Sequence, residues 1–233
     1  INTDPENGPV TKVIDAEGKY VMPGLIEPHM HVKAPFSGTI DMLDFYTASK
    51  CAAFGGVTTF MDFSTTTESM PVLEAVEDRL REMEEESALD YCVHPKFINA
   101  GKDKEELRKT IKTLVEKGVP AFKIFTIYPG VMIKDADILR IMQPAKEEGA
   151  LCGFHAESND IAQFMTEKLI EEQKKDWEYF NAAKPNACEA EAVNRIIEFA
   201  ELTDAPIYFY HLSTKEAVKA VRQAKKRGLK VYA

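Results

Sequence analysis

The chain of 233 residues is 45% hydrophobic and 29% charged, the proportions of a globular protein able to bury one substantial core. Its formal net charge of −9 argues against nucleic-acid binding, which needs a basic stripe, and no apolar run reaches the length of a membrane span or forms a signal segment. Cys51, Cys92, Cys152 and Cys188 lie far apart, mostly in apolar contexts, and read as buried free thiols of a reducing, cytoplasmic compartment.

Residues Ile1–Pro9 are polar and turn-rich, with Asp-Pro and Asn-Gly pairs. Thr11–Asp15 and Lys19–Met22 are predicted as short extended pieces around an Ala-Glu-Gly turn. The chain opens on Ile1 rather than Met, so an N-terminal portion is expected to precede it.

From Gly24 onward apolar runs alternate with charged segments of helical period. The predicted strands are Leu25–Glu27, Val57–Phe63, Tyr91–Ile98, Ala121–Ile127, Leu151–His155, Ile207–His211 and Leu229–Tyr232. The predicted helices are Asp41–Phe54, Met70–Glu86, Asp103–Lys117, Asp135–Glu148, Asp160–Lys174, Cys188–Leu202 and Ser213–Arg227. Cap residues open several of them, and Gly118 and Gly149 follow two helix ends. Such alternation implies right-handed βαβ units and a parallel sheet, either open or closed into a barrel. The first strand-to-helix turn lacks a Gly-rich phosphate loop, which counts against a dinucleotide site.

Four of the five histidines stand at the ends of predicted strands. His29 and His31 follow the first, where an i, i+2 spacing in extended chain would project both imidazoles together. His155 ends the fifth and His211 the sixth. In a (β/α)8 barrel those strand ends share one mouth, where active sites form. That placement favours the barrel and makes the histidines candidate metal ligands. Lys123 lies inside the apolar run AFKIF. Its amine either reaches solvent on its stem or is desolvated and neutral, able to react with carbon dioxide to form a carbamate.

The ordered motifs EPHMH, AFKIFTIY, GFHAE and YHLS resemble the cyclic amidohydrolases of the dihydropyrimidinase and hydantoinase family, within the amidohydrolase superfamily. The stretches AAFGGVTTFMDF and KPNACEAEAVNRII are similar as well, so the likeness runs from about Val13 to Ala233. It implies an α/β fold, a TIM-type barrel over residues 23–233 truncated before strand eight, with residues 1–22 a remnant of a small β-sandwich domain. It also implies two zinc ions bridged by carboxylated Lys123, with His29 and His31 on one and His155 and His211 on the other. Tyr128 matches the family tyrosine that donates to the developing oxyanion, and a hydroxide held between the metals attacks the ring carbonyl. The implied substrate is a small cyclic amide, a hydantoin or dihydropyrimidine opened to an N-carbamoyl amino acid. Allantoinase-like or dihydroorotase-like specificity is the nearest alternative, and a non-catalytic scaffold relative is the other; retention of all five ligands argues against the scaffold. A homo-oligomer, tetramer or dimer, is implied for the full-length protein.

The family also uses an aspartate after strand eight, beyond Ala233. The 233-residue fragment alone is therefore expected to be inactive, with exposed, aggregation-prone strand edges. Lys33, two residues past His31, reads as a solvated loop lysine, with selection of an acidic ring substituent as the alternative. Pro129 and Gly130 follow Tyr128 where the family pattern leads one to expect a lysine. His94 is predicted as a core residue or a support behind the ligands, Arg81–Glu86 as a solvated helix end, and Trp177 with Tyr179 as part of a possible oligomer contact.

Overall fold

Parallel pairing in chain order organises the protein, whose computed structural model describes residues 12–36 and 38–233. The order is β1 (Leu25–Glu27), a hairpin of β2 (Pro35–Phe36) and β3 (Thr39–Ile40), α1 (Phe45–Phe54), β4 (Val57–Phe63), α2 (Val72–Glu86), β5 (Asp90–His94) and β6 (Lys96–Phe97). There follow α3 (Lys104–Glu116), β7 (Ala121–Phe125), α4 (Asp135–Glu147), β8 (Leu151–His155) and α5 (Asn159–Glu171). A 3-10 turn (Trp177–Tyr179), α6 (Phe180–Ala183), α7 (Asn186–Thr203), β9 (Ile207–Phe209), α8 (Lys215–Lys226) and β10 (Val231–Tyr232) complete the chain.

The strands form two parallel groups, β1-β4-β5 and β6-β7-β8-β9-β10. The run predicted as one strand, Tyr91–Ile98, breaks at Pro95, which has no N–H to give a ladder. Both groups are stitched there. Ser64 N donates to the His94 carbonyl (3.1 Å), Lys96 N to Ser64 Oγ (2.9 Å) and Lys123 N to the Pro95 carbonyl (2.7 Å). The sheet curls back on itself: His29, just past β1, lies 5.1 Å from His211, just past β9, between ring centroids. Among the described residues the outer edges of β1 and β10 pair with no other strand.

Alternation in the strands separates two layers. Phe122, Ile124, Cys152, Phe154, Ile207 and Phe209 point outward and pack with Ile138 and Ile141 of α4 and Ile196 and Ile197 of α7 in the main core. Their alternates, Lys123, Phe125, Gly153 and His155, face the interior. Gly153 is in register with Lys123, and a Cβ there would meet the Tyr210 ring at 2.4 Å. The glycine thus makes the space in which Tyr210 lies against the lysine.

Helix ends follow their side-chain chemistry. Asp44, Asp103 and Thr214 cap α1, α3 and α8 through their side-chain oxygens. Gly118 and Gly149 leave α3 and α4 at φ of 79° and 74°, the left-handed region that glycine adopts without cost.

Several expectations need correction. Residues 12–15 and 19–22 lie in no strand, although the predicted turn exists, closed by Lys19 N to the Ala16 carbonyl at 2.8 Å. The rest of the remnant assigned to residues 1–22, Ile1–Thr11, is outside the described residues. Of the cysteines, all free, Cys152 and Cys188 are buried, Cys92 is half-buried and Cys51 is exposed. Glu86 is no solvated helix end: it accepts from Lys33 Nζ (2.5 Å) and Phe45 N (3.1 Å). No helix among the described residues is long and apolar enough to cross a membrane.

Candidate active site

Lys123 is the centre of the interior face. It is 1% exposed, and its Nζ lies 3.9 Å from the Tyr210 ring centroid, 4.9 Å from that of Phe125 and 5.1 Å from that of Phe63. No carboxylate pairs with it among the described residues. Burial lowers its pKa to about 7, so the neutral, nucleophilic amine is well populated near neutrality. The alternative in which the amine reaches solvent is set aside by this burial.

His29 and His31 lie beyond the end of β1, not within a strand, yet their rings converge with Nε2 atoms 3.1 Å apart. Local bonds fix this irregular turn: His29 N donates to Glu27 Oε1 (2.9 Å), and Met30 N to the Met61 carbonyl (2.9 Å). Phe63 stacks on His31 at 4.6 Å and meets His29 edge-on at 4.9 Å. Desolvation first, then the Lys123 charge, lowers the pKa of His29 to about 3 and that of His31 to about 4. Both rings are neutral at physiological pH and present lone pairs, the form in which histidine binds metal.

His155 closes β8, and His211 follows β9 by two residues at φ 42°, outside the strand predicted to contain it. Their centroids are 4.6 Å apart. Burial, then His155 and Lys123, lowers the His211 pKa to about 4. Glu189, buried in α7, holds the following turn by accepting from the backbone N–H and hydroxyl of both Ser213 and Thr214. His94 stands behind the histidines as expected. It is buried against Phe63, its Nδ1–H donating to the Ala121 carbonyl at 3.2 Å.

Tyr128 sits in the loop after β7 at φ 73°, its ring 5.3 Å from that of His155. Lys184 Nζ donates to the Tyr128 phenol oxygen (2.8 Å) and to Glu157 Oε2 (2.9 Å), and His155 Nε2–H donates to the same Oε2 (2.7 Å). Burial works to raise the Glu157 pKa, but the bonds from His155 and Lys184 hold it at about 2. Sequence reasoning missed both residues. Lys184 comes from a stretch 56 residues away, in place of the lysine sought beside Tyr128, whereas the two-residue spacing of His155 and Glu157 was a visible signal.

One cavity of about 650 Å³ joins these groups, lined by His29, His31, His155, His211, Tyr128 and Phe125 among others. Among the described residues no three His, Cys, Asp or Glu side chains surround a single point. The donors form two imidazole pairs about one buried lysine instead. Each pair alone leaves an ion short of ligands, and a carboxylate-like oxygen on Lys123 is the donor that would serve both, so the set fits a bridged metal pair.

Lys33 is absent from the cavity lining. Its half-buried amine meets Glu86 and lies 5.8 Å from the Phe45 centroid.

The Amidohydrolase family profile matches residues 20–232. A D-hydantoinase of Geobacillus stearothermophilus is 36% identical over 223 residues, covering 95% of this chain and 47% of the relative. A dihydropyrimidinase of Dictyostelium discoideum is 32% identical, covering 99% of this chain and 45% of the relative. A solved D-hydantoinase structure superposes with a TM-score of 0.90 at 34% identity over 96% of this chain and 49% of that one. The structure of a D-hydantoinase (dihydropyrimidinase) from Thermus sp. gives 0.89 at 33% identity over 98% and 50%. The chain spans about half the length of the curated relatives it matches. By sequence and by fold, the chain belongs to the amidohydrolase family.

Proposed function

We propose that the full-length protein hydrolyses a cyclic amide, opening a hydantoin or dihydropyrimidine ring to an N-carbamoyl amino acid. The observation that carries this reading is the gathering of two histidine pairs and Tyr128, all lining one cavity, beside the buried Lys123 amine, with which no carboxylate pairs among the described residues. Lys123 reacts through its neutral amine with carbon dioxide, losing a proton and gaining an anionic carbamate. His29 with His31, and His155 with His211, would then hold two zinc ions that share the carbamate. When bound, the metals supply Lewis-acid polarisation and a water acidified toward neutral pH.

The chain's own residues do the rest. Phe63, Phe125 and Tyr210 exclude water from the lysine. Tyr128 donates its phenolic proton to the ring carbonyl oxygen as charge develops there. Lys184 and Glu157 fix the phenol in that position. Water's oxygen adds to the carbonyl carbon, the ring C–N bond breaks, and the proton given up by the water ends on the departing nitrogen.

The free thiols support a reducing, cytoplasmic compartment for the protein. It works there as a homo-oligomer.

The test is turnover of hydantoin and dihydrouracil by full-length protein expressed with zinc and bicarbonate. Both or either should be opened, and no ring opening by metal-loaded protein would contradict the reading. Tyr128→Phe should lower kcat about 10²–10³-fold, the effect of removing one oxyanion donor. An unchanged kcat would remove Tyr128 from that role.

A further inference from the structure

Lys96 brings a second basic side chain to the interior face, and no carboxylate among the described residues neutralises it. It is in parallel register with Lys123, and registered neighbours in a parallel pair project to the same face of the sheet. Its side chain lines the same cavity as His29, His31 and Tyr128. Among the described residues no carboxylate forms an ion pair with it. The charges closest to it in effect are cationic: Arg79 and burial together lower its pKa, burial more than Arg79. Asp41, the acidic group lining the cavity, is exposed, and its Oδ1 accepts from Leu43 N at 3.4 Å.

The backbone under Lys96 is fixed. Lys96 N donates to Ser64 Oγ (2.9 Å), and Ser64 Oγ and Thr66 Oγ1 share a further bond at 3.0 Å. Ser64 and Thr65 line the cavity beside the lysine. A half-buried lysine that lines a ligand cavity together with two hydroxyl residues, and that forms no ion pair among the described residues, is suited to receive an anion.

We propose that Lys96, with Ser64 and Thr65, forms a subsite for an anionic substituent on the substrate, so that the protein prefers rings carrying a carboxylate side chain. This rests on the ring-hydrolase reading above for the identity of the ring, but not for the anion subsite itself. It also moves the cation that could select acidic rings from Lys33, held by Glu86, to a residue inside the cavity.

The experiment pairs 5-(2-carboxyethyl)hydantoin with neutral 5-propylhydantoin in full-length wild type, Lys96→Met and Lys96→Arg. Both kcat/KM and binding by calorimetry are measured. Wild type should favour the carboxylate ring. Lys96→Met should reduce the carboxylate-to-neutral ratio of kcat/KM by about 10- to 100-fold, one charged hydrogen bond, mainly through KM. Lys96→Arg should retain a preference for the anion. An equal effect of Lys96→Met on both rings, or no preference in wild type, would overturn the subsite while leaving ring hydrolysis intact. Lysine-dependent binding of the carboxylate ring with no turnover of either compound would instead sink the hydrolase reading and support the subsite.

Discussion

Lys123→Met should abolish the ring opening proposed for the full-length protein without loss of fold. Methionine matches the lysine stem in length and suits a site walled by Phe63, Phe125 and Tyr210, so packing is retained. What disappears is the buried amine, beside both histidine pairs, that would form the carbamate serving them. Loss of transition-state stabilisation by several kcal/mol corresponds to a fall in kcat/KM of about 10³-fold or more. Stability moves the other way. A lysine whose pKa falls from 10.5 to about 7 by burial carries an energetic cost in the fold, which methionine removes. Metal-free Lys123→Met should therefore melt no lower than metal-free wild type. A variant that keeps wild-type turnover, or one that unfolds, would contradict this account of the lysine.

The largest effect on stability is expected at Arg79. Its side chain is 5% exposed and pairs with Asp62 Oδ2 at 2.5 Å, whose side chain is 1% exposed. The same guanidinium donates to the Val32 carbonyl, directly after His31, and lies 4.6 Å from the Phe45 centroid. It thus joins α2, β4 and the turn that carries the first histidine pair. Arg79→Met leaves the Asp62 carboxylate buried without its cation, a penalty of about 3–5 kcal/mol. That is a large share of the roughly 5–15 kcal/mol that stabilises a domain.

The penalty depends on pH. Burial already raises the Asp62 pKa to about 6 in the presence of Arg79, above its unfolded value. Asp62 therefore favours the fold below the unfolded pKa, and that contribution is lost as pH rises through the folded one. Without Arg79 the folded pKa climbs further. Urea melts should show Arg79→Met closer to wild type at about pH 5 than at about pH 8, because protonation neutralises the orphan. The double variant Asp62→Leu with Arg79→Met should regain most of the loss, since an apolar pair replaces a buried ion pair at little cost. Equal penalties at both pH values would refute the buried-charge explanation.

Much of the scaffold was legible because periodicity and chemistry coincided. Apolar runs such as Val57–Phe63 and Leu151–His155 appear as strands with the predicted bounds, and His155 ends its strand as predicted, whereas His29, His31 and His211 lie two to four residues past theirs. Partners distant along the chain were not legible. Nothing local in AFKIF says that Lys123 will face three rings, and nothing near Lys33 announces Glu86, 53 residues on. The hairpin at Pro35–Ile40 was missed because its strands have two residues each, too few for a period to show. Lys96 was read as part of a continuous buried strand, and Pro95 is what ends that strand and begins another inside the cavity.

Metal content of the full-length protein, expressed with zinc and bicarbonate and compared with Lys123→Ala, tests the central claim most directly. The account predicts about two ions per chain in wild type, with a carbamate signal from labelled bicarbonate, and loss of both in the variant. Wild type without bound metal, or a variant that keeps both ions, would contradict it.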